Sequence, residues 1–364
     1  MALKVAVVGM GGIGNTHADC YQKDELAELI AVCDVKKDKA DAAAEKFGVP
    51  AYYSLKEMLA AHPEIESVSV TTSGYENGSW HYVPAMEALD AGKHVLVEKP
   101  ISNDVREARE MVRFAAEKDL YLGCNLNHYF TTPAYEADAL IKDGKIGEPV
   151  YILHKMGFDG SSATYGGVSS PRWQRPYSHV KAFLAHPFSV MRHYGGNITH
   201  VQCFMDKPGV RKEADDLMYS INGVHVRFEN GSIGYLLSQR GDARFGLGGW
   251  WSFEMAGTKG TFCIENCVEK LTYWPGKEKD QDLQEPIITN TGITDFGSTF
   301  PTRIHAYLED VTNGVPKEHL RASGRDALAT LEYTFAAIRS FEEGGAIVIP
   351  EALPNLHGDP SYVW

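Results

Sequence analysis

Lys4-Val5-Ala6-Val7-Val8-Gly9-Met10-Gly11-Gly12-Ile13-Gly14 is the segment that most strongly indicates how the first part of the chain folds. Its apolar half has the length and composition of a buried β-strand, and its second half fits the pattern G-x-G-x-x-G. A helix-compatible segment follows, and Asp34 lies 20 residues beyond Gly14, at the end of a second apolar run. These features predict a dinucleotide-binding turn, with a pyrophosphate at the helix N-terminus and a ribose on Asp34.

The glycine loop therefore contains five candidate cofactor contacts besides Asp34: Gly9, Gly11, Gly12, Ile13 and Gly14. The charge of Asp34 would repel a 2′-phosphate, so NAD is favoured over NADP. Lys36 and Lys37 follow closely and weaken that preference. A tight strand-to-helix turn without any cofactor is the structural alternative.

The chain up to about residue 125 alternates short apolar runs with amphipathic stretches of helical length. Runs rich in Val, Ile and Leu are typical of parallel strands buried on both faces, so an α/β Rossmann domain is predicted over residues 1–128. Asn103 is the predicted N-cap of a helix at 105–118. The apolar runs lie at 4–8, 29–34, 67–72, 94–98 and 120–124.

Residues 129–364 have a different pattern, which predicts a second, α+β domain with a large, mostly antiparallel open sheet. Asn230-Gly231 between two strand-like runs predicts a hairpin with a type I′ turn, and a second hairpin is expected around residues 257–260. Helices are predicted at 133–142, 304–312 and 327–342. The segment 157–175, rich in Gly and Ser, is predicted to be an irregular functional loop.

The composition excludes several classes of protein. The 364 residues carry a formal charge of −13, which argues against a nucleic-acid partner. No stretch approaches the roughly 20 apolar residues of a membrane span. Six sparse cysteines are typical of a reducing compartment, so we expect a cytoplasmic protein. Cys263 and Cys267 lack further ligands nearby, and no metal site is predicted.

Three landmarks carry a resemblance to a known family: the glycine loop, residues 81–100 ending in Glu98-Lys99-Pro100, and the paired motifs Phe228-Glu229-Asn230-Gly231 and Gly257-Thr258-Lys259-Gly260. They resemble the Gfo/Idh/MocA oxidoreductases, which include glucose–fructose oxidoreductase and inositol dehydrogenases. The resemblance implies a Rossmann domain and a second domain with an open sheet, through which the chain would assemble as a homo-oligomer. It also implies nicotinamide-dependent oxidation or reduction of a sugar or cyclitol.

By this resemblance Lys99 is the catalytic lysine, at a strand end that faces the cofactor crevice. A surface lysine is the structural alternative. Glu98 would contact the nicotinamide ribose or hold Lys99 by charge, and Thr72 and His81 are further cofactor contacts. The family also has Asp and His four positions apart, and alignment places this histidine at His186, a suitable general base.

The matching aspartate position holds Ala182, so the family's trio is incomplete. Either His186 and Lys99 suffice, or His179 or Lys181 substitutes, and His186 could also be a structural histidine. Asn125 and His128 follow a strand and are predicted to line the substrate pocket. Trp173 belongs to a set of aromatic residues that suit a pyranose face or core packing: Trp80, Tyr165, Trp173, Tyr177, Trp250 and Trp251.

The leading hypothesis is an NAD-dependent oxidoreductase that transfers hydride between nicotinamide and a secondary hydroxyl of a sugar or glycoside, with C3 of a glucoside as one such position. Alternatives are an inositol or cyclitol dehydrogenase, and redox-assisted glycoside cleavage with retained NAD. A third alternative is a non-catalytic sensor that binds NAD. Ala182 motivates the sensor hypothesis, and Lys99 argues against it.

Overall fold

The computed structural model describes residues 2–74, 78–158, 175–208, 218–240, 249–276 and 285–354. The chain forms two compact units. The first contains the chain up to Leu126 together with Phe300–Leu331, and the second contains Asn127–Thr299 together with Glu332–Glu351. Within the described segments, no helix combines the length and the apolar composition that crossing a membrane requires.

The first unit contains a six-stranded parallel sheet, as the alternating apolar runs predict. Its strand order is β3-β2-β1-β4-β5-β6. Strands are added toward one edge from β1 to β3 and toward the other edge from β4 to β6, and Rossmann folds bind nucleotides at this switch point between β1 and β4. The strands are β1 (Leu3–Val8), β2 (Ala27–Cys33), β3 (Ala51–Tyr52), β4 (Ser67–Val70), β5 (His94–Val97) and β6 (Leu122–Cys124).

Five helices connect these strands, each with its apolar side chains on one face. In the last of them Ala108, Met111, Val112 and Ala115 are buried, at the spacing of an amphipathic helix. Its N-cap is Asp104, which accepts the amide of Arg106 at 2.8 Å, so the prediction of Asn103 is wrong by one residue. The helices are α1 (Gly12–Lys23), α2 (Lys37–Phe47), α3 (Leu55–Ala61), α4 (Tyr82–Asp90) and α5 (Val105–Glu117).

The second unit contains an eight-stranded sheet in the order β14-β13-β12-β11-β7-β10-β9-β8. Among the described strand pairs of this second sheet, only β7–β10 is parallel, which confirms the mostly antiparallel prediction. The elements are α6 (Thr132–Lys142), β7 (Pro149–Phe158), α7 (Ser178–Phe183), α8 (Ala185–Gly195), β8 (Ile198–Asp206), β9 (Ile221–Phe228), β10 (Ile233–Arg240), β11 (Trp251–Gly257), β12 (Gly260–Glu265), β13 (Lys270–Pro275) and β14 (Ile287–Asn290).

The β9–β10 hairpin forms where Asn230-Gly231 predicts it, but its turn is not type I′. The Phe228 amide bonds to the Ser232 carbonyl at 2.9 Å, which closes a three-residue loop. Gly231 has φ +89°, whereas Asn230 is not among the residues with positive φ, as type I′ would need. A three-residue loop that ends in a left-handed glycine explains both observations.

Two helices close the described chain, α9 (Thr299–Thr312) and α10 (Gly324–Glu342). Ile304, Tyr307 and Leu308 of α9 are completely buried in the core of the first unit, together with Val5 and Leu96. The division of the chain therefore differs from the predicted single boundary at residue 128, because the apolar face of α9 contributes to the Rossmann core.

Candidate active site

The glycine loop between β1 and α1 is held by close backbone contacts. Gly9 has φ +98°, and a Cβ there would lie 2.7 Å from the Thr72 amide nitrogen. A Cβ on Gly14 would lie 2.1 Å from the carbonyl oxygen of Gly9. Both positions therefore require glycine, as the G-x-G-x-x-G pattern predicts.

The other two glycines border open space. Among the described residues, nothing lies within 4 Å of a Cβ built on Gly11 or Gly12, and Ile13 is 41% exposed. Helix α1 begins here with Gly11 as its N-cap and no side-chain cap, so its first amides are available to an anion. The loop therefore fits the pyrophosphate of a dinucleotide.

Asp34 follows β2 and joins the end of that strand to the glycine loop. Its Oδ2 accepts the Met10 amide at 2.7 Å, and its Oδ1 accepts the Lys36 amide at 2.8 Å. A carboxylate has about four acceptor positions, so ribose hydroxyls can still bind. Thr72, at the end of β4, donates its hydroxyl to the Trp80 carbonyl at 2.6 Å.

A buried polar network lies where the central strands meet α1. His17 Nε2 is 3.0 Å from Glu98 Oε1, and its Nδ1 is 2.7 Å from Ser69 Oγ. The amide of Asn125 donates to the same Glu98 oxygen. Burial raises the pKa of Glu98, but the hydrogen bonds and charges of His17, Lys99 and Asn125 outweigh burial and hold that pKa below its usual value.

This network was not predicted as a whole. Asn125 was expected to line the substrate pocket, but only 1% of it is exposed and its amide donates to Glu98. His17 was missed, although its spacing of three residues from Gly14 puts both on the buried face of α1. The spacing shows that His17 and Gly14 share a helix face, but it does not show which residue His17 contacts, because Glu98 is 81 positions away in the chain.

The Glu98-Lys99-Pro100 tripeptide directly follows β5. The backbone amide of Lys99 donates to Glu98 Oε2 at 3.1 Å. His81 Nδ1 lies 2.7 Å from the Pro100 carbonyl, to which it donates. Burial lowers the pKa of His81, which favours the neutral ring. His81, predicted to contact the cofactor, thus holds the tripeptide in place and is 2% exposed.

In the second unit, His128 and His186 form a stacked pair of buried rings. Their centroids are 3.7 Å apart and their planes differ by 8°. The Trp251 indole N–H donates to His128 Nδ1 at 3.0 Å, which leaves the proton of a neutral His128 on Nε2. The Cys267 thiol donates to the His128 carbonyl at 3.5 Å. Two residues that the sequence assigns to substrate and catalysis are therefore adjacent.

Ala182 is 1% exposed, and α7 and α8 are separated at Leu184, shortly after it. His179 is fully buried, with Nε2 2.9 Å from Ser238 Oγ on β10. The Lys181 ammonium lies over the Phe335 ring of α10, 5.6 Å from its centroid. These two proposed substitutes for the missing aspartate therefore contact β10 and α10.

The aromatic residues separate into different environments. Trp251 is completely buried and contacts the rings of His154 and Phe253, so it belongs to the core and not to a ligand-stacking surface. Trp80 is 59% exposed, and the Tyr177 hydroxyl donates to Glu342 at 2.7 Å. Tyr165 and Trp173 lie outside the described residues, as does most of the predicted loop 157–175.

Comparison with known proteins gives a family match, a relative matched over its full length and a relative matched over less than half of its length. Residues 3–126 match a family model described as an oxidoreductase family with an NAD-binding Rossmann fold. A myo-inositol 2-dehydrogenase from Thermotoga maritima is 23% identical over 96% of this chain and 100% of its own length. A D-glucoside 3-dehydrogenase from Escherichia coli is 31% identical, but over 41% of this chain and 42% of its own length.

Solved structures share the whole fold. A levoglucosan dehydrogenase in complex with NADH and levoglucosan has a TM-score of 0.81 at 18% identity, covering 96% of this chain and 100% of its own. An oxidoreductase from Agrobacterium radiobacter, in complex with NAD+, L-tartaric acid and magnesium, has a TM-score of 0.80 at 17% identity, covering 96% and 98%. Residues 3–126 are therefore an NAD-binding Rossmann domain of the Gfo/Idh/MocA oxidoreductase family, and the solved structures share the fold of nearly the whole chain.

Proposed function

We propose that the chain is an NAD-dependent dehydrogenase that acts on a secondary hydroxyl of a sugar or glycoside. The observation that carries this proposal is the position of Lys99 two residues after the end of β5, since the glycine loop follows β1 of the same parallel sheet. The carboxyl ends of parallel strands share one edge, and β4 alone separates β1 from β5. A proton-handling side chain and a dinucleotide loop therefore share the first unit's crevice.

The loop and Asp34 select the cofactor. The open amides at the start of α1 bind the pyrophosphate, and Asp34 binds the adenosine ribose hydroxyls. A carboxylate at this position disfavours a 2′-phosphate, so NAD is preferred to NADP. Bound NAD supplies the hydride acceptor for alcohol oxidation.

Lys99 and His186 handle the proton of the substrate hydroxyl. The Lys99 ammonium orients the hydroxyl and stabilises the oxygen as negative charge develops on it. The His186 imidazole takes the proton, as a general base suited to neutral pH. His128, stacked on His186, restricts the orientation of that ring where Ala182 offers no carboxylate.

The substrate is a ring with several hydroxyl groups. A cyclitol is the second candidate, since the full-length relative from Thermotoga maritima is named a myo-inositol 2-dehydrogenase. The glucoside 3-dehydrogenase and the levoglucosan dehydrogenase favour a sugar or glycoside. His128, Trp173, His179 and Lys181 are proposed substrate contacts, and the buried amide of Asn125 acts through Glu98.

The test is turnover of a substrate panel with NAD or NADP. Methyl glucosides, levoglucosan and myo-inositol are supplied separately, and reduced nicotinamide is followed by absorbance, with product analysis in case the cofactor is retained. Lys99→Ala should abolish most turnover, whereas Lys93→Ala, at the other end of β5, should keep it. Absence of both absorbance change and product with every compound would refute the proposal. If the protein is instead a non-catalytic NAD sensor, both variants should bind NAD equally well and neither should show turnover.

We also propose a homo-oligomer that forms through the face of the second unit's sheet on which apolar side chains are exposed. Strands β7, β10 and β8 of this sheet present exposed apolar side chains, at Leu153 (46%), Ile233 (61%) and Phe204 (62%). Several exposed apolar side chains on one face of a sheet are typical of an interface. Leu153→Glu should lower the mass measured by light scattering, and Val83→Glu, on α4, should not. An unchanged mass for Leu153→Glu would contradict this interface.

A cytoplasmic location is proposed from the cysteines. All six are free thiols, and five of them are buried. Free buried thiols are typical of a reducing compartment. Fractionation of the expressing cells tests this, and recovery with extracellular or periplasmic markers would contradict it.

A further inference from the structure

His17 lies between the two sequence motifs of the Rossmann unit. Its helix, α1, begins at Gly12 within the glycine loop, and its ring reaches Glu98 of the lysine tripeptide. The side chain is completely buried, so water does not compete for its bonds. His17 therefore connects the helix of the cofactor loop to the strand end that carries Lys99.

The Glu98 carboxylate is held at both oxygens. Oε1 accepts His17 Nε2 at 3.0 Å and also accepts the Asn125 amide. Oε2 accepts the backbone amide of Lys99 at 3.1 Å. Because donors from α1 and from the end of β6 bind one oxygen, the carboxylate has a single orientation, and its other oxygen holds the peptide that carries Lys99.

Among the described residues, Glu98 and Lys99 are charged groups of this network. Glu98 and Lys99 attract each other, which contributes to the lowered pKa of Glu98. Burial raises the pKa of the Cys124 thiol and lowers that of His81, so both favour their neutral forms. Arg303 also lies close, with its guanidinium on the Cys124 carbonyl at 3.0 and 3.1 Å. The Glu98 carboxylate is thus a negative charge that acts on Lys99, its neighbour in the sequence.

We propose that His17 is a positioning residue for Lys99: by holding the Glu98 carboxylate, it sets both the place and the charge environment of the lysine. The proposal rests on the proposed dehydrogenase function, in which Lys99 orients the substrate hydroxyl. The hydrogen-bond linkage from His17 through Glu98 to Lys99 can be measured without that function. Ser69, on the other ring nitrogen, orients the imidazole at 2.7 Å.

The experiment measures the pH dependence of amine labelling at Lys99, by mass spectrometry, in the absence of NAD and substrate. Glu98→Gln removes the negative neighbour, so the Lys99 labelling midpoint should fall by about one pH unit. His17→Leu should act in the same direction but less strongly, because the Glu98 carboxylate loses a donor to Oε1 and can turn its charge away from Lys99. His17→Gln keeps an N–H donor and should restore most of the wild-type midpoint.

The same variants are compared in turnover. For His17→Leu, kcat should fall about 10- to 100-fold, as expected for a lost charge-assisted hydrogen bond, with the Kd of NAD changed less than about threefold. His94→Leu is the matched control. It removes a partly buried histidine at the start of β5, where Nδ1 accepts the Tyr121 amide at 3.3 Å. This control should leave Lys99 labelling unchanged.

Equal labelling midpoints in the wild type, Glu98→Gln and His17→Leu overturn the proposal. If circular dichroism shows that His17→Leu does not fold, Glu98→Gln and His17→Gln decide, and an unchanged midpoint in Glu98→Gln overturns it. Shifted midpoints in a protein that turns over no sugar or cyclitol would support the linkage and refute the dehydrogenase. Turnover with unshifted midpoints would do the reverse.

Discussion

Replacing Asp34 by asparagine should reduce the discrimination between NAD and NADP. The carboxylate accepts two backbone amides, from Met10 at 2.7 Å and from Lys36 at 2.8 Å, and is 9% exposed. An asparagine has one acceptor oxygen, so only one of these bonds is easily kept, and its NH2 group faces the other amide. Two charge-assisted bonds of about 1.5–3 kcal/mol each become one neutral bond of about 1 kcal/mol.

The loss in NAD affinity follows from the weakened loop and the weaker ribose acceptor, and about 1.4 kcal/mol corresponds to tenfold in Kd. Loss of the negative charge acts oppositely on NADP. A close pair of unit charges at an effective dielectric constant of about 20 repels by about 4 kcal/mol, which salt and solvent reduce to about 1–2 kcal/mol. Because the weakened loop lowers the affinity for both cofactors, the relief of this repulsion decides the difference, and we expect the preference for NAD over NADP to fall about tenfold.

Isothermal titration calorimetry of NAD and NADP measures both values without any substrate. Asp38→Asn is the matched control, since Asp38 is an exposed residue in the first turn of α2 that bears the same charge. A preference that changes less than about threefold in Asp34→Asn, or equally in Asp38→Asn, would refute the reasoning.

Three further substitutions probe the loop and the second unit. Gly14→Ala places a Cβ 2.1 Å from the Gly9 carbonyl, so urea denaturation should show a loss of about 1–3 kcal/mol together with weaker NAD binding. His154→Phe removes a buried histidine whose pKa is lowered to about 4, chiefly by burial. As the pH falls, His154 is protonated in the unfolded chain before it is protonated in the folded protein. The free energy of unfolding of the wild type should therefore fall by about 3 kcal/mol between about pH 6.5 and about pH 4, and that of the variant should not. Trp251→Phe removes the donor to His128 Nδ1 and should cost about 1 kcal/mol in unfolding free energy.

Each of these variants has a matched control. Gly12→Ala adds a Cβ in open space and should unfold like the wild type. His319→Phe replaces an exposed histidine and should keep the wild-type pH dependence, and Trp274→Phe alters a tryptophan that is 39% exposed. A control that behaves like its test variant, or a test variant that behaves like the wild type, would contradict the corresponding structural explanation.

The secondary structure was largely predictable because its signals are local. Strand-length apolar runs correspond to β1, β2, β4, β5 and β6, and the helical periodicity over 105–118 corresponds to α5. The errors are local as well. Asn103 and Asp104 are both good caps, and sequence preference alone does not decide between them. Asn-Gly signals a turn, but whether the loop has two or three residues depends on strand pairing.

Sequence reasoning was sufficient for the Rossmann fold class, the glycine loop and the family resemblance, because each depends on residues close together in the chain or on a contiguous motif. Only the tertiary structure showed that His17 bonds to Glu98, that His128 stacks on His186, and that α9 packs in the first unit. These pairs are brought together by strand order and by packing of buried faces. A single sequence does not show which helix and strand faces from distant parts of the chain pack together. The partners of a buried polar residue are therefore known only from the folded structure.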